Sequence, residues 1–242
     1  FVREVENGEI VYIKDNELHS LKPFGNHTPR PCVFEYIYFS RPDSILRGKT
    51  AYEYRKNLGR ELAKEDNVDA ELVVPVPDSG NAAAIGYSQQ KKINFDLGLI
   101  RNHYVGRTFI EPGQQIRSLG VKLKLNANKS SIENKKIILV DDSLVRGTTS
   151  HKIVKMLYDA GAKEVHLRIA CPEIKFPDFY GVDMPTKKEL LAANKSVEEI
   201  CDYVKAKSLK FLSLEGLYIA LGYLKRDRNK PQLTDHYFTG DY

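Results

Sequence analysis

Ile137-Ile138-Leu139-Val140-Asp141-Asp142-Ser143-Leu144-Val145-Arg146-Gly147-Thr148-Thr149-Ser150 is the stretch whose reading decides the fold. Four consecutive apolar residues predict a central parallel strand covered on both faces. Two adjacent carboxylates follow at its carboxyl end, where open α/β sheets bind their ligands. Arg-Gly-Thr-Thr-Ser then offers backbone N–H groups and hydroxyls at the start of a helix. That is an anion site, and phosphate is the anion it suits. An Asp-Asp pair alone would serve equally well as a helix cap. The complete order of apolar run, acid pair, hydroxyl and Gly-Thr-Thr-Ser loop points to a functional phosphate site.

The pattern repeats on either side. A helix is predicted from about 148 to 160, with Ile153, Leu157 and Ala160 facing inward and Gly161 as its stop, and Glu164–Ala170 is the next strand. Upstream, Leu72-Val73-Val74-Pro75-Val76 is a buried strand that runs into Pro77-Asp78-Ser79-Gly80 and an Ala-rich helix to about Gln90. This is a second anion-binding corner, although such loops also serve simply to start helices. Thr50-Ala51-Tyr52-Glu53 has the form of a capping box and opens a helix to about Lys64, with Leu58, Leu62 and Ala63 on its inner face. Strands alternating with helices predict an α/β fold with a parallel sheet and helices on both faces.

Other segments give further expectations. Glu9–Ile13 and Glu17–Leu21 flank Lys14-Asp15-Asn16 as a β-hairpin, and 23–31 is a Pro- and Gly-containing linker. The aromatic, β-branched run Cys32–Phe39 is expected to be a strand ended by Arg41-Pro42-Asp43-Ser44. Thr186–Glu189 and Ser196–Glu199 carry capping-box patterns, each expected to open a helix, and a further helix is expected over Leu212–Leu224. The charged, aromatic tail from Lys225 is expected to be loosely ordered. Residues 98–128 carry Arg101, Arg107, Arg117, Lys122 and Lys124 with few acids, and read as a long basic loop. Loops of this length in compact domains are usually functional lids; a solvated surface excursion is the alternative.

The 242 residues suffice for one large domain or a domain plus a fragment of another. Net charge is +5 with acids and bases mixed along the chain, unlike the concentrated basic face of a nucleic-acid binder. It suits a polyanionic small substrate. No apolar run reaches the roughly 20 residues that span a bilayer. Cys32, Cys171 and Cys201 lie far apart, with no CxxC pair. They imply free thiols in a reducing, cytoplasmic setting. The chain begins Phe1-Val2-Arg3-Glu4, which reads as a truncated or processed start.

Val140 to Ser150 resembles the phosphoribosyl-pyrophosphate (PRPP) motif of the type I phosphoribosyltransferases. Five further stretches carry a narrower resemblance: Cys32–Ser44, Tyr104–Ile110, Gly113-Gln114-Gln115, Lys124-Leu125-Asn126 and Phe179–Pro185. Together they are similar to the amidophosphoribosyltransferases, the glutamine-dependent PRPP amidotransferases of purine synthesis. The likeness covers the chain to about residue 224. It implies a type I phosphoribosyltransferase fold over 32–224, a remnant of an N-terminal glutaminase domain and linker over 1–31, and a tail at 225–242.

The resemblance also implies the chemistry. PRPP and ammonia give 5-phosphoribosylamine and pyrophosphate, with Mg²⁺ as cofactor and purine nucleotides as feedback inhibitors. Asp141 and Asp142 would lie at the ribose hydroxyls and the metal. Gly147, Thr148, Thr149 and Ser150 would wrap the 5′-phosphate, with Arg146 shaping the loop or contacting a neighbour. Ser79 would contribute to the Mg-pyrophosphate site. Arg107 and Lys122, on the lid, are candidates for pyrophosphate contacts. No cysteine nucleophile stands at the start, so free ammonia is the expected nitrogen source. Four cysteines hold an iron–sulfur cluster in some relatives. The matching positions here are Cys32, Asp178, Thr234 and Tyr237, so no cluster is expected and Cys32 is expected to be a buried apolar residue. A homo-oligomer is implied; nucleic-acid and membrane partners are not. Two other classes stay open. A nucleobase phosphoribosyltransferase would not carry Tyr104–Ile110 in this form. A PRPP-sensing regulator would need a nucleic-acid-binding module. A receiver-type signalling domain shares the strand and acid pair but lacks the phosphate loop.

Overall fold

The computed structural model of the chain describes residues 2–25, 27–104, 124–183 and 186–242. Near the start, β1 (Ile10–Lys14) and β2 (Glu17–Leu21) pair antiparallel. The hairpin turns through Asp15 and Asn16, with φ of 52° and 64°. Positive φ at both central residues is the turn that matches strand twist, and Asn and Asp tolerate it. The expected hairpin is therefore present.

A short hairpin of β3 (Ile45–Leu46) and β4 (Lys49–Thr50) leads into α1 (Ala51–Lys64). Thr50 and Glu53 form the expected capping box. Then follow β5 (Leu72–Pro75), α2 (Asn81–Lys91) and β6 (Asn94–Phe95). Next, β7 (Leu99–Arg101) and β8 (Leu125–Ala127) pair antiparallel, and α3 is a single turn, Lys129–Ile132. The central pattern is β9 (Lys136–Asp141), α4 (Thr148–Asp159) and β10 (Glu164–Ile169). The chain continues through α5 (Leu191–Asn194), α6 (Val197–Val204), β11 (Ser208–Phe211), α7 (Leu214–Ala220) and α8 (His236–Thr239).

The main sheet has five parallel strands in the order β11-β10-β9-β5-β6. Its middle is β9, with β10 and β5 on either side. Val140 stands opposite Pro75 on one flank and Arg168 on the other. Ile137 to Val140 are all 0% exposed, as are Val73 and Val74. Strands this apolar are covered on both faces. Helix α2 packs on β5 and β9 with α1 against its other side, and α4 packs on β10 beside α6, which packs on β11. The α1–α2 contact is close because it is made through glycines. A Cβ on Gly59 would stand 1.9 Å from the Ala83 carbonyl oxygen, and one on Gly86 would stand 1.9 Å from that of Lys56. Across the sheet, Arg168 on β10 forms a buried ion pair with Asp66, Nε to Oδ2 at 2.5 Å.

Several expectations are corrected. Cys32–Phe39 is not a strand. Val33, Phe34, Tyr36 and Ile37 are buried, a helical spacing, and Glu35–Phe39 is a π-helical turn packed on α1. Thr186–Glu189 opens no helix. The two side chains bond each other at 3.2 Å and the segment makes a turn before α5. The helix expected over 212–224 is shorter: Ser213 caps its start through the Gly216 N–H at 2.8 Å, and Gly222, with φ of 88°, lies just past its end. Strand β11 was not anticipated.

The tail is not loosely ordered. Leu233, Asp235 and His236 are fully buried and Tyr237 nearly so. Asp235 accepts hydrogen bonds from Arg226 Nε at 2.6 Å, Arg226 Nη2 at 3.1 Å and Tyr218 Oη at 2.8 Å. Thr234 meets residues 31–33 through a main-chain bridge to Cys32, with Val33 N–H donating to Thr234 O at 3.2 Å and Thr234 N–H donating to Pro31 O at 3.0 Å.

Removing the acceptor at Asp235 leaves a mostly buried guanidinium with the half-exposed Asp241 carboxylate as its remaining charged partner. Asp235→Ala is expected to destabilise the fold by about 3 kcal/mol, read as a lower urea midpoint. An unchanged midpoint would show that the tail is not anchored through this carboxylate.

Candidate functional site

The carboxyl ends of β5 and β9 are neighbours, so the two loops that leave them are neighbours too. Val76 N–H donates to Val140 O at 2.8 Å, which carries the pairing past the end of β5. The chain then turns through Pro77, Asp78, Ser79 and Gly80 into α2. Gly80 sits against β9: a Cβ there would be 2.5 Å from the Val140 carbonyl oxygen. This close approach brings Ser79 beside the end of β9. Arg101, at the end of β7, pairs with Asp78 on the outer side of the same loop.

Asp141 ends β9 and Asp142 follows it. They are 8% and 7% exposed. The Asp142 N–H donates to Asp141 Oδ1 at 2.9 Å, and Ser143 Oγ donates to Asp142 Oδ1. Burial, and then the charge of its neighbour, pushes the Asp141 carboxyl well above the usual carboxylate range. Burial also raises Asp142, less far, because hydrogen bonds from Ser143 and Ser79 and the charge of Arg55 favour its ionised form. The pair is thus short of positive charge at the mouth of the sheet.

After the acids, Leu144 is buried and Arg146 is exposed, with its guanidinium on the Glu189 carboxylate at 3.1 Å. Gly147 has φ +72° and begins α4 with no side-chain cap. In α1 and α6, by contrast, capping boxes satisfy the first turn. The first-turn N–H groups of a helix that starts without a cap point outward with its positive dipole end, a ready anion cradle. Thr148 and Thr149 are exposed there, and Ser150 is buried.

The structure therefore places Ser79, Asp141, Asp142 and the Arg146–Ser150 loop at one end of the sheet, where the two acid- and phosphate-type corners face each other. Arg107 and Lys122 lie outside the described residues. Arg55 was not singled out in the sequence. It is 6% exposed, donates to Tyr36 O at 3.1 Å and Ser40 O at 2.7 Å, and its charge acts on Asp142. Its signal was available: Arg55 precedes Leu58 by three residues on the buried face of α1, an unusual place for a cation.

Two acids and a hydroxyl are a sparse cation site. Among the described residues no group of three or more His, Cys, Asp and Glu is placed to hold a metal ion. Magnesium needs few protein ligands when it binds through substrate phosphates, and the charge deficit of the buried Asp pair fits it. The positions matched to cluster cysteines do converge. Cys32, Asp178, Thr234 and Tyr237 line one cavity of about 600 Å³. Cys32 is half-buried rather than buried, with Sγ 3.4 Å from Tyr237 Oη. Asp178 is occupied by His236 Nε2 at 2.7 Å and by three backbone N–H groups. This donor set does not suit a group that needs four thiolates.

No protein-family model matches the chain. Amidophosphoribosyltransferase of Rhizobium etli is 55% identical over 248 residues, covering 100% of this chain and 50% of the relative. That of Methanocaldococcus jannaschii is 51% identical and covers 92% of the chain and 50% of the relative. Among solved structures, glutamine PRPP amidotransferase from B. subtilis, complexed with ADP and GMP, superposes with a TM-score of 0.86 at 48% identity. The match covers 100% of this chain and 53% of that one. The chain spans about half the length of the curated relatives it matches.

The raised carboxyls carry a sign that can be tested. A carboxyl held above its ordinary range contributes most to stability when protonated, and that contribution is lost as pH rises from about 4 through the raised value. In chelator-treated protein at neutral pH, Asp141→Asn is expected to raise stability by about 1 kcal/mol. The gain should shrink towards zero near pH 4. A melting temperature lowered at neutral pH would mean that the site favours the ionised pair.

Proposed function

The chain belongs to the amidophosphoribosyltransferase family, matching its relatives over its own whole length and about half of theirs, and we propose that its sheet end is the site where phosphoribosyl transfer takes place. The substrate is PRPP, the acceptor is ammonia, and the products are 5-phosphoribosylamine and pyrophosphate. The observation that carries the reading is the facing of two corners: a buried acid pair with an uncapped Gly-Thr-Thr-Ser helix start on β9, and the Asp-Ser-Gly turn on β5. A doubly phosphorylated sugar needs these features, with anion cradles at its two ends and carboxylates between.

The bond that breaks joins ribose C1 to pyrophosphate. Negative charge grows on the leaving oxygens and positive charge on the sugar ring. Bound Mg²⁺ supplies charge neutralisation for the pyrophosphate oxygens. Asp141 and Asp142 hold the ribose hydroxyls and the cation, and their ionised form suits a ring that becomes positive. The N–H groups and hydroxyls of Gly147, Thr148, Thr149 and Ser150 hold the 5′-phosphate. Ser79 serves the pyrophosphate end, together with Arg107 and Lys122. Neutral ammonia attacks C1 with its own lone pair and sheds a proton afterwards, so no general base is required. Purine nucleotides, which share a phosphorylated ribose with PRPP, fit the same corners as inhibitors. The relative solved with ADP and GMP supports that extension.

The names of the curated relatives favour ammonia over a nucleobase as acceptor. The chain is to be incubated with PRPP, Mg²⁺ and ammonium salt, and pyrophosphate release measured. Release that requires all three is expected. Asp142→Asn should lower turnover by about a hundredfold or more with the fold intact. Near-normal turnover in that variant would remove Asp142 from its role. No release by the unsubstituted chain would overturn the reading itself.

A further inference from the structure

We propose that the segment from Glu189 to Tyr203 is a clamp that sets the shape of the phosphate loop, with Tyr203 as a positioning residue. The inference rests on reading Arg146–Ser150 as the 5′-phosphate loop. Four residues in and flanking that loop find partners in this one segment. Leu191 N–H donates to Val145 O at 2.9 Å. Arg146 meets the Glu189 carboxylate at 3.1 Å. Gly147 backs onto Leu191 and Tyr203: a Cβ there would stand 2.5 Å from Leu191 Cδ2 and 3.1 Å from Tyr203 Cε1. His151 Nδ1 donates to the Tyr203 carbonyl oxygen at 2.9 Å, with the two rings 5.8 Å apart.

The clamp is itself held. Asn194 Nδ2 donates to Leu190 O at 2.7 Å and Lys187 O at 2.8 Å, closing the turn before α6. Ser196 and Glu199 cap α6 reciprocally, and Ile200 and Val204 anchor it with 0% exposure. Tyr203 is thus placed by a rigid element, and a rigid support is what an anion loop needs. Backbone donors bind phosphate best when they are aimed before it arrives. Gly147 has a left-handed φ of +72°, and the wall behind it leaves the loop little room to relax. The Arg146–Glu189 pair is solvent-exposed, and exposed pairs contribute little. The Tyr203 ring and Leu191 therefore carry the positioning. Both contacts of Tyr203 with the loop and α4 use its ring edge and its backbone, not its hydroxyl.

The test separates the two ends of the substrate. Ribose 5-phosphate probes the phosphate loop, and Mg-pyrophosphate probes the other corner. In Tyr203→Ala, calorimetric affinity for ribose 5-phosphate is expected to fall about tenfold while that for Mg-pyrophosphate stays within about twofold. The KM for PRPP should rise with kcat nearly constant, and Tyr203→Phe should behave as the unsubstituted chain does. Leu191→Ala, which removes the other half of the wall, is read in parallel and should show the same selective loss. Unchanged ribose 5-phosphate binding in both Ala variants overturns the clamp. So does an equal loss of both ligands, or a Phe variant as impaired as Ala. Failure of the unsubstituted chain to bind either ligand removes the phosphate-loop reading, and the clamp with it.

Discussion

Two adjacent carboxylates buried at the end of the central strand are the constraint around which the rest is arranged. Taking charge out of water is costly unless something compensates it. The compensation within the chain is partial: one backbone N–H, two serine hydroxyls and the charge of Arg55. The apolar strand and its two parallel neighbours hold the acids there, with β9 paired in register to β10 as far as Asp141 and to β5 as far as Val140. The sheet thus fixes in place a pair that the local environment alone would push toward protonation. Such a compromise of stability is common where a site serves function over stability.

The placement of the loops follows from sheet order. Because β5 and β9 are parallel neighbours, their carboxyl ends lie side by side and the two turns must face each other. Gly80 lets the first turn approach Val140, and Gly147 lets the second fold back on Leu191 and Tyr203. Each glycine stands where a side chain would separate two surfaces. Elsewhere on the sheet, the Asp66–Arg168 pair and the Tyr87 hydroxyl tie the end of α1, α2 and β10 together.

What could be read in the sequence was what local order determines. Ile137 to Ser150 carries its strand, its acid pair and its helix start in consecutive residues, and the structure has each of them. Ser196–Glu199 and Thr50–Glu53 were legible for the same reason. Cys32–Phe39 misled because aromatic and β-branched residues favour strands only where a pleated surface receives them. Here α1 receives them, and the buried set of 33, 34, 36 and 37 follows a helical spacing. Thr186–Glu189 shows that a capping-box pattern can close on itself, side chain to side chain. The tail was illegible because its order comes from Asp235 meeting Arg226 and Tyr218, and Thr234 meeting Pro31 to Val33. The Thr234 partners lie more than 200 positions away, and no window of sequence contains them. Arg55 was overlooked although its place on an apolar helix face was visible.

The bridge between Cys32 and Thr234 has a topological consequence. Residues 31–33 and residue 234 are more than 200 positions apart in the chain yet exchange main-chain hydrogen bonds as strand neighbours do. The sheet, both helical layers and the facing corners are contained in the loop between them. The two segments that enclose the sheet therefore meet at one point, before α8 completes the fold. A unit whose bounding segments are clasped in this way can be carried behind, or within, another folded module without those segments being pulled apart.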